Sequence, residues 1–273
     1  MTRPVTGPVT GLPRLVATDL DGTLVRSDGT VSLFTRDVIA ALDERGVPVV
    51  FVTGRPLRWA EEVFEYVGDH GLAVVSNGAL VWDVARDEVD LTRTVPVDAG
   101  LEACRLIRAA VPGSSFAVET LAGIALEEEF LERHPVPPGA RRGPIDEVFD
   151  APALKLLARH EELAPQEFWD RAAEAVGDAV VITWSSTGSL LEISAAGVTK
   201  ASTLALLCDR LGVGAEEVLA FGDMPNDIPM LAWAGTAYAM ENAHPTVHEV
   251  AAHVAPANDE DGVATVLAGV FGL

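Results

Sequence analysis

Residues 15–25, LVATDLDGTLV, set an apolar run suited to a buried strand against two carboxylates, Asp19 and Asp21, at its end. Burying charge without a partner is costly, so the pair belongs at an open end of the strand, facing something positive. An Asp-Gly step is also an ordinary turn signal. What separates a turn from a site is whether other apolar runs end in polar groups that fit these two.

They do recur. VPVVFVT (47–53) and LAVVSN (72–77) follow, separated by the helical patterns SLFTRDVIAALDERG and RPLRWAEEVFEYVG. This is the strand–helix alternation of a parallel sheet. The rhythm returns late, as TKASTLALLCDRLG, EEVLAFGD, IPMLAWAG, TAYAM and HPTVHEVAAHVA, so the two segments are expected to be halves of one doubly wound α/β sheet. Residues 83–195 read differently. A hairpin around VWDVARDEVDLTRTVP, a helix near Leu101 to Val111 and strand-like FAVET, ALKLLARH, AVVITWSS and SLLEIS imply an inserted α+β unit. Its Pro- and Gly-rich segment PVPPGARRGP (135–144) is expected at the surface. A Pro/Thr/Gly-rich tail over residues 1–13 precedes the sheet.

The 273 residues, 49% hydrophobic, are enough for a large core. Acidic residues outnumber basic ones 41 to 19, a formal charge of -22 that argues against a nucleic-acid partner, whose phosphates are held mainly by Lys and Arg. Any anionic ligand must be held locally. The N-terminal segment lacks the apolar stretch of a signal peptide and no run approaches the ~18 apolar residues of a membrane span. A cytoplasmic protein with no membrane partner is expected. Cys104 and Cys208 stand far apart, outside any CxxC, and read as reduced, packed thiols. No signal sets an oligomeric state.

Ligands of a parallel α/β sheet lie beyond the carboxyl ends of its strands. There the runs end in Asp19-Leu20-Asp21-Gly22-Thr23, Thr53-Gly54-Arg55, Ser76-Asn77-Gly78 and Gly222-Asp223-Met224-Pro225-Asn226-Asp227. Lys200 adds a cation at a helix start that Thr199 can cap, with Leu204, Leu207 and Leu211 as the apolar face. Clustered carboxylates need a countercharge, and hard oxygen donors without His or Cys select Mg²⁺. Asp19 and Asp223 are expected as its direct ligands. Thr53, Asn77 or Asn226, and Lys200 suit the oxygens of a phosphoryl group. Asp19, ionised without help from a base, is the expected nucleophile. Asp21, on the same side of an extended segment, is the expected acid and base.

At this point the sequence resembles the haloacid-dehalogenase superfamily, and within it the Cof-type phosphatases with a large cap domain. DLDGTL, VTGR, the Lys of GVTKAS and GDMPNDIPML are similar to its four motifs in order and spacing; SNGA, Asn242-Ala243 and NDEDGVA (258–264) are further signatures. The resemblance implies a Rossmann-like core over residues 14–82 and 196–273, capped by residues 83–195. It implies Asp19 as nucleophile and Mg²⁺ ligand, and Asp21 as acid/base whose backbone carbonyl meets the metal. Leu20 through its backbone, Thr53, Gly54, Lys200 and Asn226 would hold phosphate, and Asp223 would ligate Mg²⁺ with Asp227 in support. Met224 and Pro225 depart from the small or acidic residues usual in that loop, away from the chemical positions.

Other readings of the same residues weigh less. GVTKAS imitates a phosphate-binding P-loop, but Thr199 stands where that motif requires Gly. His244 and His248, four apart, lack a third ligand and read as a helix face. Arg133, His134, Arg141 and Arg142 are candidates for gripping an anionic substrate part, against a default of solvation. Asn226 and Asp227 can also cap the helix near Pro229. The expected activity is Mg²⁺-dependent hydrolysis of a small phosphorylated metabolite, such as a sugar phosphate, through an aspartyl phosphate. A phosphomutase of the same superfamily is the alternative, and a non-catalytic phospho-acceptor switch a lesser one.

Overall fold

The structure, a computed structural model, describes residues 11–66, 71–184 and 188–273. Most of the tail, the end of the RPLRWAEEVFEYVG pattern and the serines of AVVITWSS lie outside the described residues. The first half supplies β1 (Leu15–Thr18), β2 (Val49–Val52), β3 (Leu72–Val75), β4 (Leu80–Asp83) and β5 (Glu88–Thr92). The middle supplies β6 (Ser115–Thr120), β7 (Gly123–Leu126), β8 (Arg141–Arg142), β9 (Lys155–Arg159), β10 (Val180–Thr183) and β11 (Leu190–Ala195). The last part supplies β12 (Val218–Gly222), β13 (Thr236–Met240) and β14 (His253–Ala255).

A large sheet has the order β14-β13-β12-β1-β2-β3-β4-β5. Its first six strands are parallel neighbours, and β1, every residue buried, lies between β12 and β2. Both faces are covered, which explains why β1 is continuously apolar. On one face the helices Leu33–Glu44 and Gly262–Phe271 bring Ile39, Leu42 and Leu267 against Val16, Phe51 and Phe221. On the other, the helices Lys200–Leu211 and Ile228–Trp233 bring Leu204, Leu207 and Met230 against Ala17, Val50 and Ala220. Each such side chain contributes roughly 1.5–3 kcal/mol by leaving water. The α/β, doubly wound core is therefore present. Leu211, expected on the apolar face, is exposed: it ends its helix immediately before the left-handed Gly212, and Cys208 takes the buried place.

The smaller sheet has the order β10-β11-β9-β6-β7-β8 and is antiparallel except for the β7–β8 pair. Its strands alternate faces with period two. Phe116, Val118, Leu156, Ala158, Leu191 and Ile193 pack beneath the helices Val97–Ala110 and Pro165–Val176. The alternate residues, Glu119, Lys155, Leu157, Leu190 and Glu192, line a cavity shared with the large sheet.

Two elements differ from expectation. The β4–β5 hairpin, expected to open the insert, pairs with β3 in the large sheet. Only four residues, the turn Ser76–Gly78 and Ala79, separate β4 from the end of β3, and consecutive strands joined so closely pair with each other first. The excursion to the smaller sheet thus begins after Thr92, where Val95 and Ala153 exchange two backbone hydrogen bonds. The helix expected from Pro56 onward is one α-helical turn, Leu57–Ala60, continued as the 3-10 segment Glu61–Tyr66. There the guanidinium of Arg55 donates to the Trp59 carbonyl at 3.0 Å, competing for an acceptor of the helical ladder.

Residues 135–144 are largely exposed. Cys104 and Cys208 are buried free thiols, and burial pushes the Cys104 thiol up to about 12. Among the described residues no helix is long and apolar enough to cross a membrane.

Candidate active site

Because β1, β2, β3 and β12 are parallel, their carboxyl ends open at one edge, and the polar residues that follow them meet there. Asp19, Asp223 and Asp227, all buried, each bring a carboxylate oxygen within 4.8 Å of the others. The Lys200 ammonium, 1% exposed, lies between two of them, 2.6 Å from Asp19 Oδ1 and 2.7 Å from Asp227 Oδ1. Lys200 is held there as the first residue of a helix whose start is fixed reciprocally. The Thr199 hydroxyl accepts from the Ser202 N–H while the Thr199 N–H donates to the Ser202 hydroxyl.

Burial pushes the Asp19 carboxyl well above its usual range; Lys200 opposes this, and Asp227 and Asp223 add to it. Burial and then Asp227 raise Asp223 to about 7. Burial works against the Lys200 ammonium, but Asp19 and Asp227 outweigh it and keep that group firmly protonated. Three buried carboxylates facing one ammonium leave negative charge in excess, and every donor is a hard oxygen. The residues fit a divalent cation.

The loops that carry these groups are fitted closely. Gly22 has φ +75°, and a Cβ on it would run into the Asp223 carboxylate, so the DGT turn tolerates only glycine between the two acidic groups. The Thr23 hydroxyl donates to Asp223 Oδ1 at 3.0 Å. Asp227 Oδ2 accepts from the Asp223 and Met224 N–H groups, both at 3.1 Å. Asp227 therefore ties its loop back onto itself and makes no side-chain bond that caps the helix Ile228–Trp233.

Asp21 lines the same cavity as Asp19, but at its exposed margin. β1 ends at Thr18 and the chain turns at Leu20, so the extended alternation stops before reaching it. Its side chain, 61% exposed, is gripped by Arg55 through Nε at 2.8 Å and Nη2 at 2.6 Å. Leu20 buries its side chain and offers the site only backbone. Thr53 is buried, its hydroxyl accepting from the Arg55 N–H. Ser76, Asn77 and Gly78 have φ of 51°, 55° and 101°, a costly conformation for the serine. This turn aims the Asn77 amide at Asn226, whose Nδ2 donates to Asn77 Oδ1 at 3.0 Å. The Asn226 Oδ1 is buried with no hydrogen-bond partner among the described residues.

A family model described as haloacid dehalogenase-like hydrolase matches residues 16–267. The chain belongs to the haloacid dehalogenase-like hydrolases. A phosphoglycolate phosphatase of Methanopyrus kandleri is 30% identical to this hydrolase over 253 residues, 93% of this chain and 95% of that one. The 5-amino-6-(5-phospho-D-ribitylamino)uracil phosphatase YitU of Bacillus subtilis is 28% identical over 277 residues, covering 96% and 98%. The crystal structure of SMU.1108c from Streptococcus mutans matches with a TM-score of 0.85 at 24% identity, covering 96% of this chain and 100% of the other. At that identity the likeness speaks for the fold, a Rossmann-like core with a cap.

The hydrolase's site contains groups that its sequence did not single out. A cavity of about 480 Å³ extends from Asp19 and Thr53 to the inward face of the smaller sheet. There Lys155 and Glu192 form a buried ion pair at 2.5 Å. Lys155 also donates to the Gly54 carbonyl, and Glu192 Oε2 accepts from Asn77 Nδ2 at 2.9 Å, so the pair ties the two sheets together beside Asp19. Arg58 pairs with Glu119 at 2.6 Å and stacks on Trp59 at 4.1 Å. Of the four basic residues considered for an anionic substrate part, His134 lines the cavity, its ring 4.8 Å from that of Trp59. Arg133 pairs with Glu161, Arg141 with Asp150, and Arg142 donates to the Glu127 carbonyl. The available signal was a charged residue within an apolar strand run, as in ALKLLARH and SLLEIS.

Proposed function

We propose that this hydrolase cleaves the phosphate monoester of a small metabolite with Mg²⁺, through a covalent phosphate on Asp19. The observation that carries the reading is the placement of buried Asp19 at the end of the central strand, 2.6 Å from the Lys200 ammonium and beside Asp223, at the floor of a cavity roofed by the smaller sheet. The phosphatase names of the two relatives above support it.

Asp19 and Asp223 would hold the Mg²⁺ with the Asp21 backbone carbonyl, and Asp227 would support them by fixing Lys200 and the 223–224 loop. When bound, the ion supplies positive charge to the attacking carboxylate and the phosphoryl oxygens. Lys200, the Thr53 hydroxyl, the backbone of Leu20 and Gly54, and the second amide hydrogen of Asn226 surround the transferred group. Asp19 attacks phosphorus, the bond to the leaving oxygen breaks, and Asp21 gives that oxygen its proton. Asp21 then takes a proton from water, which attacks phosphorus, releases inorganic phosphate and restores Asp19. To do so Asp21, whose side of the pair is exposed to water, must let go of Arg55. We place the reaction in the cytosol, where thiols such as Cys104 and Cys208 stay reduced. The smaller sheet with its helices, about residues 93–195 rather than 83–195, serves as the cap.

Two measurements test this together. Purified protein is expected to release inorganic phosphate from an aryl phosphate only with Mg²⁺; failure on every monoester tried overturns the reading. Metal binding has its own readout. Burial, and then Asp227, hold the proton on folded, metal-free Asp223 up to about 7, whereas the unfolded chain releases it near the ordinary aspartate value of 3.8. Metal-free stability therefore falls as pH rises across that interval, and Mg²⁺ must displace the proton to bind. Thermal stabilisation by Mg²⁺ is expected to be larger at pH 8 than at pH 5.

A further inference from the structure

We infer that Asn242, itself set by Asn258, is a positioning residue for the metal site: it holds the DGT turn against Asp223 and so fixes the spacing of the oxygens that meet a divalent cation. The inference rests on the proposed metal site and names residues outside it on which it depends. The parallel strands β1, β2, β3 and β12 end in groups already placed at the site. The other two, β13 and β14, open at the same edge, and the chain just beyond them carries Asn242 and Asn258. Both asparagines bond to the segment that follows β1. Asn242 Nδ2 donates to the Gly22 carbonyl at 2.7 Å. The Asn258 N–H donates to Asn242 Oδ1 at 3.0 Å, and Asn258 Nδ2 donates to the Val25 carbonyl at 2.9 Å. A carbonyl only accepts and a backbone N–H only donates, so the place between Gly22 and Asn258 calls for one donor and one acceptor on a short side chain, which an amide turned this way supplies. Asn258 is buried, and its loop has little freedom, because a Cβ on Gly262 would run into the Pro256 carbonyl.

Gly22 is where this brace meets the site. Its Cα lies directly against the Asp223 carboxylate, and the next residue, Thr23, donates to Asp223 Oδ1. Two residues past Asn242, the His244 N–H donates to the Asp223 carbonyl at 2.8 Å. The segment 242–244 thus holds Gly22 and Asp223 by their carbonyls and sets the gap between the two loops. The Asp21 carbonyl, one residue before Gly22, moves with the same turn. Mg²⁺ demands near-ideal geometry from its oxygen donors, so a turn free to drift weakens binding while every ligand is still present. Groups that orient metal ligands typically carry about 10–100-fold of affinity. Asn242 stands near the lower end of that range, because its side chain is exposed and water can replace part of its bond to Gly22.

Calorimetric titration of the full chain with Mg²⁺ at pH 8 tests this. Asn242→Ala is expected to weaken Mg²⁺ binding about tenfold. Ser27→Ala is the matched control: it removes an exposed hydrogen bond to Asp259, five residues beyond Gly22, and is expected to change binding less than about twofold. Should the alanine variant not fold, Asn242→Ser, too short to span both partners, is expected to show the same loss. With an aryl phosphate, the rate deficit of Asn242→Ala is expected to close to within about threefold of wild type as Mg²⁺ is raised, because the reacting groups are intact. Unchanged Mg²⁺ affinity in the folded variants at Asn242 overturns the inference. So does an equal loss in Ser27→Ala, or a rate deficit that saturating Mg²⁺ leaves whole. If the wild-type protein itself takes up no Mg²⁺, the metal site fails and the inference with it; if wild type binds and Asn242→Ala binds equally well, only the role of Asn242 fails.

Discussion

Asp19→Asn is expected to lower Mg²⁺-dependent phosphate release by at least about 10,000-fold, because an amide oxygen carries no negative charge with which to attack phosphorus. The same change is expected to leave the fold intact and to raise, or at least preserve, the melting temperature of the metal-free protein. Burial and the neighbouring Asp227 and Asp223 disfavour the ionised Asp19, and an isosteric neutral amide removes that repulsion. Activity and stability thus move apart. Phosphate release with and without Mg²⁺, beside thermal melts without metal, gives both readings; turnover within about tenfold of wild type removes Asp19 as the nucleophile.

Lys200→Met is expected to damage both properties. The ammonium is buried and bonded to Asp19 and Asp227. Removing one partner of a buried pair costs about 3–5 kcal/mol, since the remaining charge has no compensation. For a chain of this size that is a fall of roughly 10 °C in melting temperature. Mg²⁺ is expected to recover part of the stability, because it supplies positive charge to the same carboxylates, and none of the activity, because the phosphoryl group has lost its ammonium. A melt within about 2 °C of wild type shows that the carboxylates do not depend on this residue.

Much of this site was legible because of where its residues fall. In a parallel sheet the catalytic edge is wherever apolar runs stop, and the carboxylates, threonine and asparagine after β1, β2, β3 and β12 announce themselves by ending such runs. Lys200 was legible for a different local reason, the Thr199 cap immediately before it. The cap side of the cavity was not legible. Lys155 and Glu192 sit inside strands, where a charged residue at alternate positions reads as a solvent-facing one; only the packing of the smaller sheet turns that face toward Asp19. The allegiance of the β4–β5 hairpin was hidden similarly, since a hairpin's own sequence fixes its turn and register but not the sheet that receives it. Asp21 shows the limit at the finest scale. Its spacing from Asp19 implied a shared side, and both carboxylates line the cavity, but neither the turn at Leu20 nor the Arg55 pair that holds Asp21 could be read from that spacing.

The division of labour between the two aspartates is the centre of the proposed mechanism, and capture of the covalent intermediate tests it most directly. In Asp21→Asn, Asp19 keeps its attack while the step that uses water loses its base. Mixing this variant with Mg²⁺ and a radiolabelled monoester, quenching in acid and mapping the labelled peptide is expected to find phosphate on the segment containing Asp19, at a higher level than in wild type. Label absent from that segment at every time point, with phosphate still released, contradicts a phosphorylated Asp19.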